Sequence, residues 1–334
     1  MIGSFIKNYL EIPSSEKKIV CLGGGVGTSR VLKGLRKYNF ELTSIVSMAD
    51  DGGSAGRLRR AFSVPPPGDI VNCLAALSDE ESILKQLLLY RFAGKRYGKD
   101  TDLGGQKLGN LIFVALSDIF KGDLNKALEE FSKIISSHGK VLPATTGDVN
   151  IWAVTKTGKN VFGEEKIDLG KYDGAKELSR VNLEPENAKA YEPTIAAVKN
   201  ADVIIAGPGD LFTTVLPVLI VPQIKLELLK SAIRKIFIVN VANKPFETTN
   251  FTVSDYLRAL KNHLGEDIFD TIVVNSNHRP KLAGRFNYTY VPYDKNKIGA
   301  YLSKIIEDNL VDEEYPIYHD SEKLAKVLRK LFIE

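Results

Sequence analysis

The sequence predicts an α/β protein with a doubly wound, mostly parallel sheet and a small antiparallel β excursion. Three observations carry this reading. Runs that are apolar throughout, such as Ile19-Val20-Cys21-Leu22 and Val203-Ile204-Ile205-Ala206, alternate with segments of helical periodicity, as strands covered on both faces do. Polar or glycine-rich motifs stand just after those runs, so their loops should leave one edge of the sheet. Between His138 and Leu183 the pattern changes to alternating segments broken by turns such as Thr157-Gly158, which reads as an antiparallel departure from the main sheet.

Residues 1–16 read as a leader, without the continuous apolar core of a signal peptide. The first strand ends in Gly23-Gly24-Gly25, then Val26-Gly27-Thr28 opens a helix with apolar residues at Val31, Leu32 and Leu35. The next apolar run, Leu42 to Met48, ends in Asp50-Asp51-Gly52-Gly53-Ser54. Beyond Pro65-Pro66-Pro67-Gly68, Asp69 reads mainly as the cap of a helix carrying Ile70, Leu74 and Leu77. Ser82 to Phe92 continues in helical register. A polar loop leads through Gln106 and Gly109-Asn110 into an apolar helix, Leu111 to Phe120, and Asp123 caps the amphipathic helix that follows.

Strands are expected at Val141–Thr146, Val149–Thr155, Asn160–Ile167 and Glu177–Leu183. Helix Ala188–Lys199 precedes strand Asp202–Ala206, which feeds a second glycine turn, Gly207-Pro208-Gly209-Asp210, with Thr213 and Thr214 beyond it. A helix over Gln223–Arg234, a strand over Lys235–Val241, a helix over Val253–Leu264 and a strand over Thr271–Asn275 complete the wound core. Residues 17–280 are therefore expected to form one domain, with the β-rich excursion at about 145–185. Residues 281–334 are expected to pack on it as a helical extension ending in helix Ser321–Phe332.

Lys and Arg number 45 against 41 Asp and Glu, so the net charge of +4 gives no electrostatic reason for a nucleic-acid partner, and no recognition motif supplies one. The most apolar run, Leu211 to Pro222, is shorter than the ~20 residues a bilayer span needs, so no membrane is expected. Two cysteines, Cys21 and Cys73, fall in apolar segments and read as buried thiols of a reducing compartment; the expected location is cytoplasmic. The four histidines show neither metal-ligand spacing nor a triad order.

A strand, a glycine turn and a helix form a phosphate cradle, because bare N–H groups and the helix dipole face the turn. Gly23, Gly24, Gly25, Val26, Gly27 and Thr28 are the candidate cradle, though the same glycines also suit a tight turn. Asp50 and Asp51 stand at the neighbouring strand end; they can hold Mg²⁺ against a diphosphate, accept from a ligand hydroxyl, or cap the next helix. Ser54, Arg57, Asn110, Gly207, Gly209, Asp210, Thr213, Asn243 and Glu247 complete the candidate ligand-binding set, since each lies at a loop of the same edge. No residue is assigned a catalytic role.

These segments, in this order, resemble the gluconeogenesis-factor family, bacterial proteins similar to 2-phospho-L-lactate transferase. The motifs are Gly23–Thr28, Met48–Arg59, Pro66–Ile70, Leu108–Leu111, Val141–Thr146, Gly207–Thr214 and Pro245–Thr248. The resemblance implies a Rossmann-like fold, a homodimer and a nucleotide site at the glycine loop. It implies a regulatory protein that binds uridine diphosphate sugars, with a role in carbon metabolism and cell shape. The alternative it implies is a Mg²⁺-dependent transferase using a nucleoside diphosphate donor. Gln106 and Tyr256 stand where the family usually has histidine, Asp210 where it has serine and Phe246 where it has glycine, so two proton-transfer groups of the pattern are missing here.

Overall fold

The computed structural model describes residues 17–79, 83–174, 176–284, 287–298 and 304–333. The expected leader lies outside the described residues. The strands in chain order are β1 Lys17–Gly23, β2 Phe40–Val46, β3 Gly139–Pro143, β4 Asn150–Thr155, β5 Asn160–Phe162, β6 Leu178–Glu184, β7 Val203–Ala206, β8 Arg234–Ile238, β9 Ala242–Asn243, β10 Thr271–Asn275, β11 Thr289–Tyr290 and β12 Lys304–Asp308. Seven of them form one parallel sheet in the order β12-β10-β8-β7-β1-β2-β3. The chain starts in the middle and winds outward both ways, so the sheet is Rossmann-like. β4, β5 and β6 form the small antiparallel sheet, and β9 pairs with β11.

Alternate side chains of the central strands feed two cores, as the period of two requires. Ile19, Cys21, Leu42 and Ile205 pack under the helices Gly25–Leu35, Gly68–Leu77, Leu108–Ile119, Leu124–Ile134 and Ser321–Ile333. Val20, Leu22, Ile45 and Ile204 face the helices Pro222–Lys230 and Val253–Leu264 and the small sheet. Each fully buried aliphatic side chain contributes about 2 kcal/mol. Both cysteines are free and buried among these residues.

Several elements differ from the sequence reading. The strand expected over Asn160–Ile167 ends at Phe162, because Gly163 (φ 95°) turns the chain into the helix Glu164–Asp168. Helix Ala188–Lys199 begins at Glu192, with proline in its first turn, where a missing N–H is harmless. The helix expected over Gln223–Arg234 ends at Lys230, and Arg234 already belongs to β8. The segment 281–334 is not only helical: it adds β12 to the sheet edge beside β10. Among the described residues no single helix is long and apolar enough to cross a membrane. The bent pair Leu211–Leu219 and Pro222–Lys230 turns through 71°, and Leu211, Phe212, Leu216 and Leu219 lie in the core.

Candidate functional site

Because the sheet is parallel, the loops after β1, β2, β7 and β8 leave the same edge and meet there. The helix Gly25–Leu35 has no side-chain cap. Instead Thr28, fully buried, accepts the Gly24 N–H at 2.9 Å and donates to the Pro208 carbonyl at 3.4 Å. Gly27 lets the helix close on the second glycine turn, since a Cβ there would lie 2.3 Å from the Pro208 oxygen. The Asn240 amide brackets Gly209, accepting its N–H and donating to its carbonyl, both at 2.9 Å. The two turns thus form one wall of a cleft of about 200 Å³, which Lys244, Tyr288, Tyr318 and His319 complete.

Asp69 does not cap its helix: the cap position belongs to Pro67 and carries no side-chain bond. Its carboxyl instead accepts from the Gly25 backbone N–H. It also sits so close to Gly24 (φ 158°) that a Cβ there would come within 2.1 Å of Asp69 Oδ2. Two amides of the loop, Gly24 and Gly25, are therefore satisfied within the protein. The expectation of a bare glycine run narrows to the first helical turn, where among the described residues no acceptor meets the amides of Val26 and Gly27. Burial first, and Asp50 second, push the Asp69 carboxyl up to about 7.

The aspartate pair diverges. Asp50 accepts the Gly52 N–H at 2.9 Å, and burial pushes its carboxyl up to about 6. Asp51 reaches across to the small-sheet segment and accepts the Glu165 N–H at 2.8 Å, at the start of the helix Glu164–Asp168. Neither caps the helix Gly53–Phe62, whose cap is Gly52. Among the described residues no group of three or more His, Cys, Asp or Glu side chains is arranged to hold a metal ion. The two carboxyls thus turn to different neighbours, Asp50 to Gly52 and Asp51 to Glu165.

Asp210 finds its partner inside the chain. Lys244 Nζ bridges Asp210, at 2.5 Å, and Asp168 of the small-sheet segment. Burial would lower this ammonium, but Asp210, Glu247 and Asp168 hold it well above its ordinary value. Glu247 is buried and braces the π-helical turn Leu211–Val215: its Oε1 accepts from Phe212 N at 3.0 Å, Thr213 N at 2.7 Å and Thr213 Oγ1 at 2.8 Å. Burial and then Asp210 push it up to about 8, and its Oε2 has no partner.

The remaining candidates separate. Asn243 turns into the core, donating to the Phe251 carbonyl at 2.7 Å and accepting from Tyr256 Oη at 3.3 Å. Arg57, 1% exposed, donates to the carbonyls of Lys99 and Gly104, both at 2.8 Å, and so fastens the 99–106 loop rather than a phosphate. Gln106, with its amide oriented to satisfy both neighbours, donates to the Ser54 carbonyl and accepts from Arg57. Ser54 Oγ accepts from Arg91 at 3.1 Å. Asn110 is buried at the start of the helix Leu108–Ile119, with its Oδ1 unpartnered. The edge thus gathers Gly24–Thr28, Asp50, Gly207–Asp210 and, unforeseen, Asp69, Asn240, Lys244 and Lys107. For Asp69 the signal was present but reads mainly as a cap; the two lysines carry none, because their partners are far away in sequence.

The model of the family described as 2-phospho-L-lactate transferase CofD matches residues 19–311. The gluconeogenesis factor of Bacillus subtilis (strain 168) is 39% identical over 322 residues, 95% of this chain and 98% of that protein. That of Halalkalibacterium halodurans is 36% identical, over 94% of this chain and 96% of its own. A crystal structure of a upf0052 family member from Bacillus halodurans, at 2.60 Å resolution, shares 34% identity and a TM-score of 0.85, covering 96% of this chain and 100% of that one.

Proposed function

The chain belongs to the 2-phospho-L-lactate transferase CofD family, and on that premise we propose that it binds a uridine diphosphate sugar across its two glycine turns. On this reading it is a regulatory protein of the gluconeogenesis-factor type, linked to carbon metabolism and cell shape. The observation that carries the reading is the open pair of amides, Val26 and Gly27. They stand at the start of an 11-residue helix in a cleft that Lys244, paired with Asp210 and Asp168, also lines. A diphosphate placed there meets two N–H donors and the positive end of the helix dipole, and competes with Asp210 and Asp168 for the Lys244 ammonium.

Thermal shift and calorimetry with uridine diphosphate N-acetylglucosamine test this. At a hundred times Kd a single-site ligand stabilises by about 2.7 kcal/mol. A shift without turnover supports the regulatory reading; no shift and no heat with any nucleoside diphosphate contradicts it. Light scattering tests the accompanying expectation of a homodimer, which requires twice the 36.9 kDa of one chain.

One observation favours a transferase as the second reading. The Asp69 carboxyl, held near 7 beside the cradle, is placed to take a proton from an acceptor hydroxyl at neutral pH. Mass analysis after incubation with a lactyl-diphosphate guanosine donor, a deazaflavin and Mg²⁺ decides it: a phospholactyl adduct establishes turnover, and unchanged deazaflavin leaves binding alone.

A further inference from the structure

The stretch 163–171, built around the helix Glu164–Asp168, leaves the small sheet after β5 and lies across the ligand edge like a strap. Gly163 (φ 95°) and Gly170 (φ 59°) mark its ends with left-handed backbone, where a short segment turns at least steric cost. Ile167, fully buried, anchors it to the core. Its other attachments are weaker. The Glu165 N–H donates to Asp51 Oδ1 at 2.8 Å, Lys171 Nζ stands 5.0 Å from the centre of the Tyr97 ring, and the Phe246 ring lies against Gly170. The remaining attachment is the ion pair of Asp168 with Lys244.

That pair is the attachment a ligand contests. Lys244 lines the same cleft of about 200 Å³ as Val26 and Gly27, so an anion on those amides lies within the ammonium's own cleft. The ammonium is shared between Asp210 of the second glycine turn, at 2.5 Å, and Asp168 of the strap. Among the described residues Asp168 pairs with no other cation. Its other neighbours are carboxyls: burial first, then Asp50 and Asp168, hold Glu164 well above its ordinary value. An Asp168 that loses Lys244 is therefore an uncompensated charge in a half-buried, acidic place, and moving out into water relieves it.

We propose that Asp168 is an internal competitor for Lys244, and that a nucleoside diphosphate in the cleft takes the ammonium from it and lifts the strap 163–171 off the ligand edge. This rests on the nucleotide reading and adds how the site is regulated. The strapped form binds weakly and the lifted form tightly. By linkage, the factor by which lifting raises affinity equals the factor by which ligand favours lifting.

Calorimetry and amide hydrogen exchange with uridine diphosphate N-acetylglucosamine, on wild type and Asp168→Asn, test this. The variant keeps the shape, removes the competing charge and leaves Asp210 to hold Lys244. It should bind about tenfold more tightly, the lower end of what a bond to a charged group is worth, whereas loss of a merely structural contact tightens nothing. In the wild type, saturating ligand should speed exchange of the amides 165–169 about tenfold, by the same linkage. In the variant those amides should exchange fast with or without ligand. Equal or weaker binding by a folded variant, or strap amides that ligand slows or leaves unchanged in the wild type, overturns the proposal. Should the variant fail to fold, the wild-type exchange decides alone. If neither protein takes up the nucleotide sugar, the nucleotide reading has failed and inorganic pyrophosphate becomes the probe. Faster exchange at 165–169 with pyrophosphate in the wild type then sustains the competition for Lys244, and no change removes it.

Discussion

At the scale of residues, the site is governed by carboxyls that burial keeps protonated longer than usual. The Asp69 carboxyl is raised to about 7 and that of Asp50 to about 6, against ordinary values near 4. An anionic ligand beside them raises both further, so binding takes up a proton and affinity falls as pH rises through 6 to 8. Without a divalent cation, calorimetry with uridine diphosphate should find roughly tenfold weaker binding at pH 8.5 than at pH 5.5, the equivalent of one pKa unit. Asp69→Asn should flatten that profile. The same shift fixes the sign for stability. A carboxyl whose folded value lies above its unfolded one stabilises fully below the unfolded value and loses that contribution as pH rises through the folded one. Asp69→Asn should therefore melt higher than wild type at pH 8, with the gap closing toward pH 4. Thr28→Val removes the acceptor of the Gly24 N–H and should lower stability by about 1–2 kcal/mol in urea titrations, and weaken ligand binding with it.

At the scale of elements, the site depends on how closely two turns approach. Gly27→Ala places a methyl against the Pro208 carbonyl and should destabilise by about 1–3 kcal/mol while separating the two turns; a lost ligand shift in a variant that still unfolds cooperatively is the expected result. Lys244 ties the second turn to the small-sheet segment through Asp210 and Asp168. Lys244→Ala leaves three carboxyls facing one another and should reduce stability by about 3 kcal/mol, most of it recovered by Asp210→Ser in the same chain. The elements themselves were legible. Ile19–Leu22 and Val203–Ala206 have the continuous apolar character of strands covered on both faces, and Gly23–Thr28 marks a strand-to-helix turn locally. The partners of polar residues were not. Arg57 and Asn243 read as ligand groups because they stand at the right edge, but each points at carbonyls brought in from other loops. Asp51 is spent on an amide 114 residues away, a pairing that spacing does not encode.

At the scale of the molecule, the sheet order places the glycine loop after β1 within the sheet, and later segments close around it. β12 extends the sheet on one side, while the helix Ser321–Ile333 packs on the helix Gly25–Leu35, with the Ser321 carbonyl against Gly34. Tyr318 and His319, just before that helix, reach the cleft. Removing residues 321–334 takes away Leu324, Leu328 and Phe332, uncovers Leu32, Leu35 and Phe40 beneath them, and should yield insoluble protein. The measurement that bears most directly on the account is amide hydrogen exchange with and without uridine diphosphate N-acetylglucosamine. Slowed exchange at Val26–Thr28 together with Gly207–Asp210 is the predicted result. Unchanged exchange there, or protection confined to the opposite edge of the sheet, contradicts it.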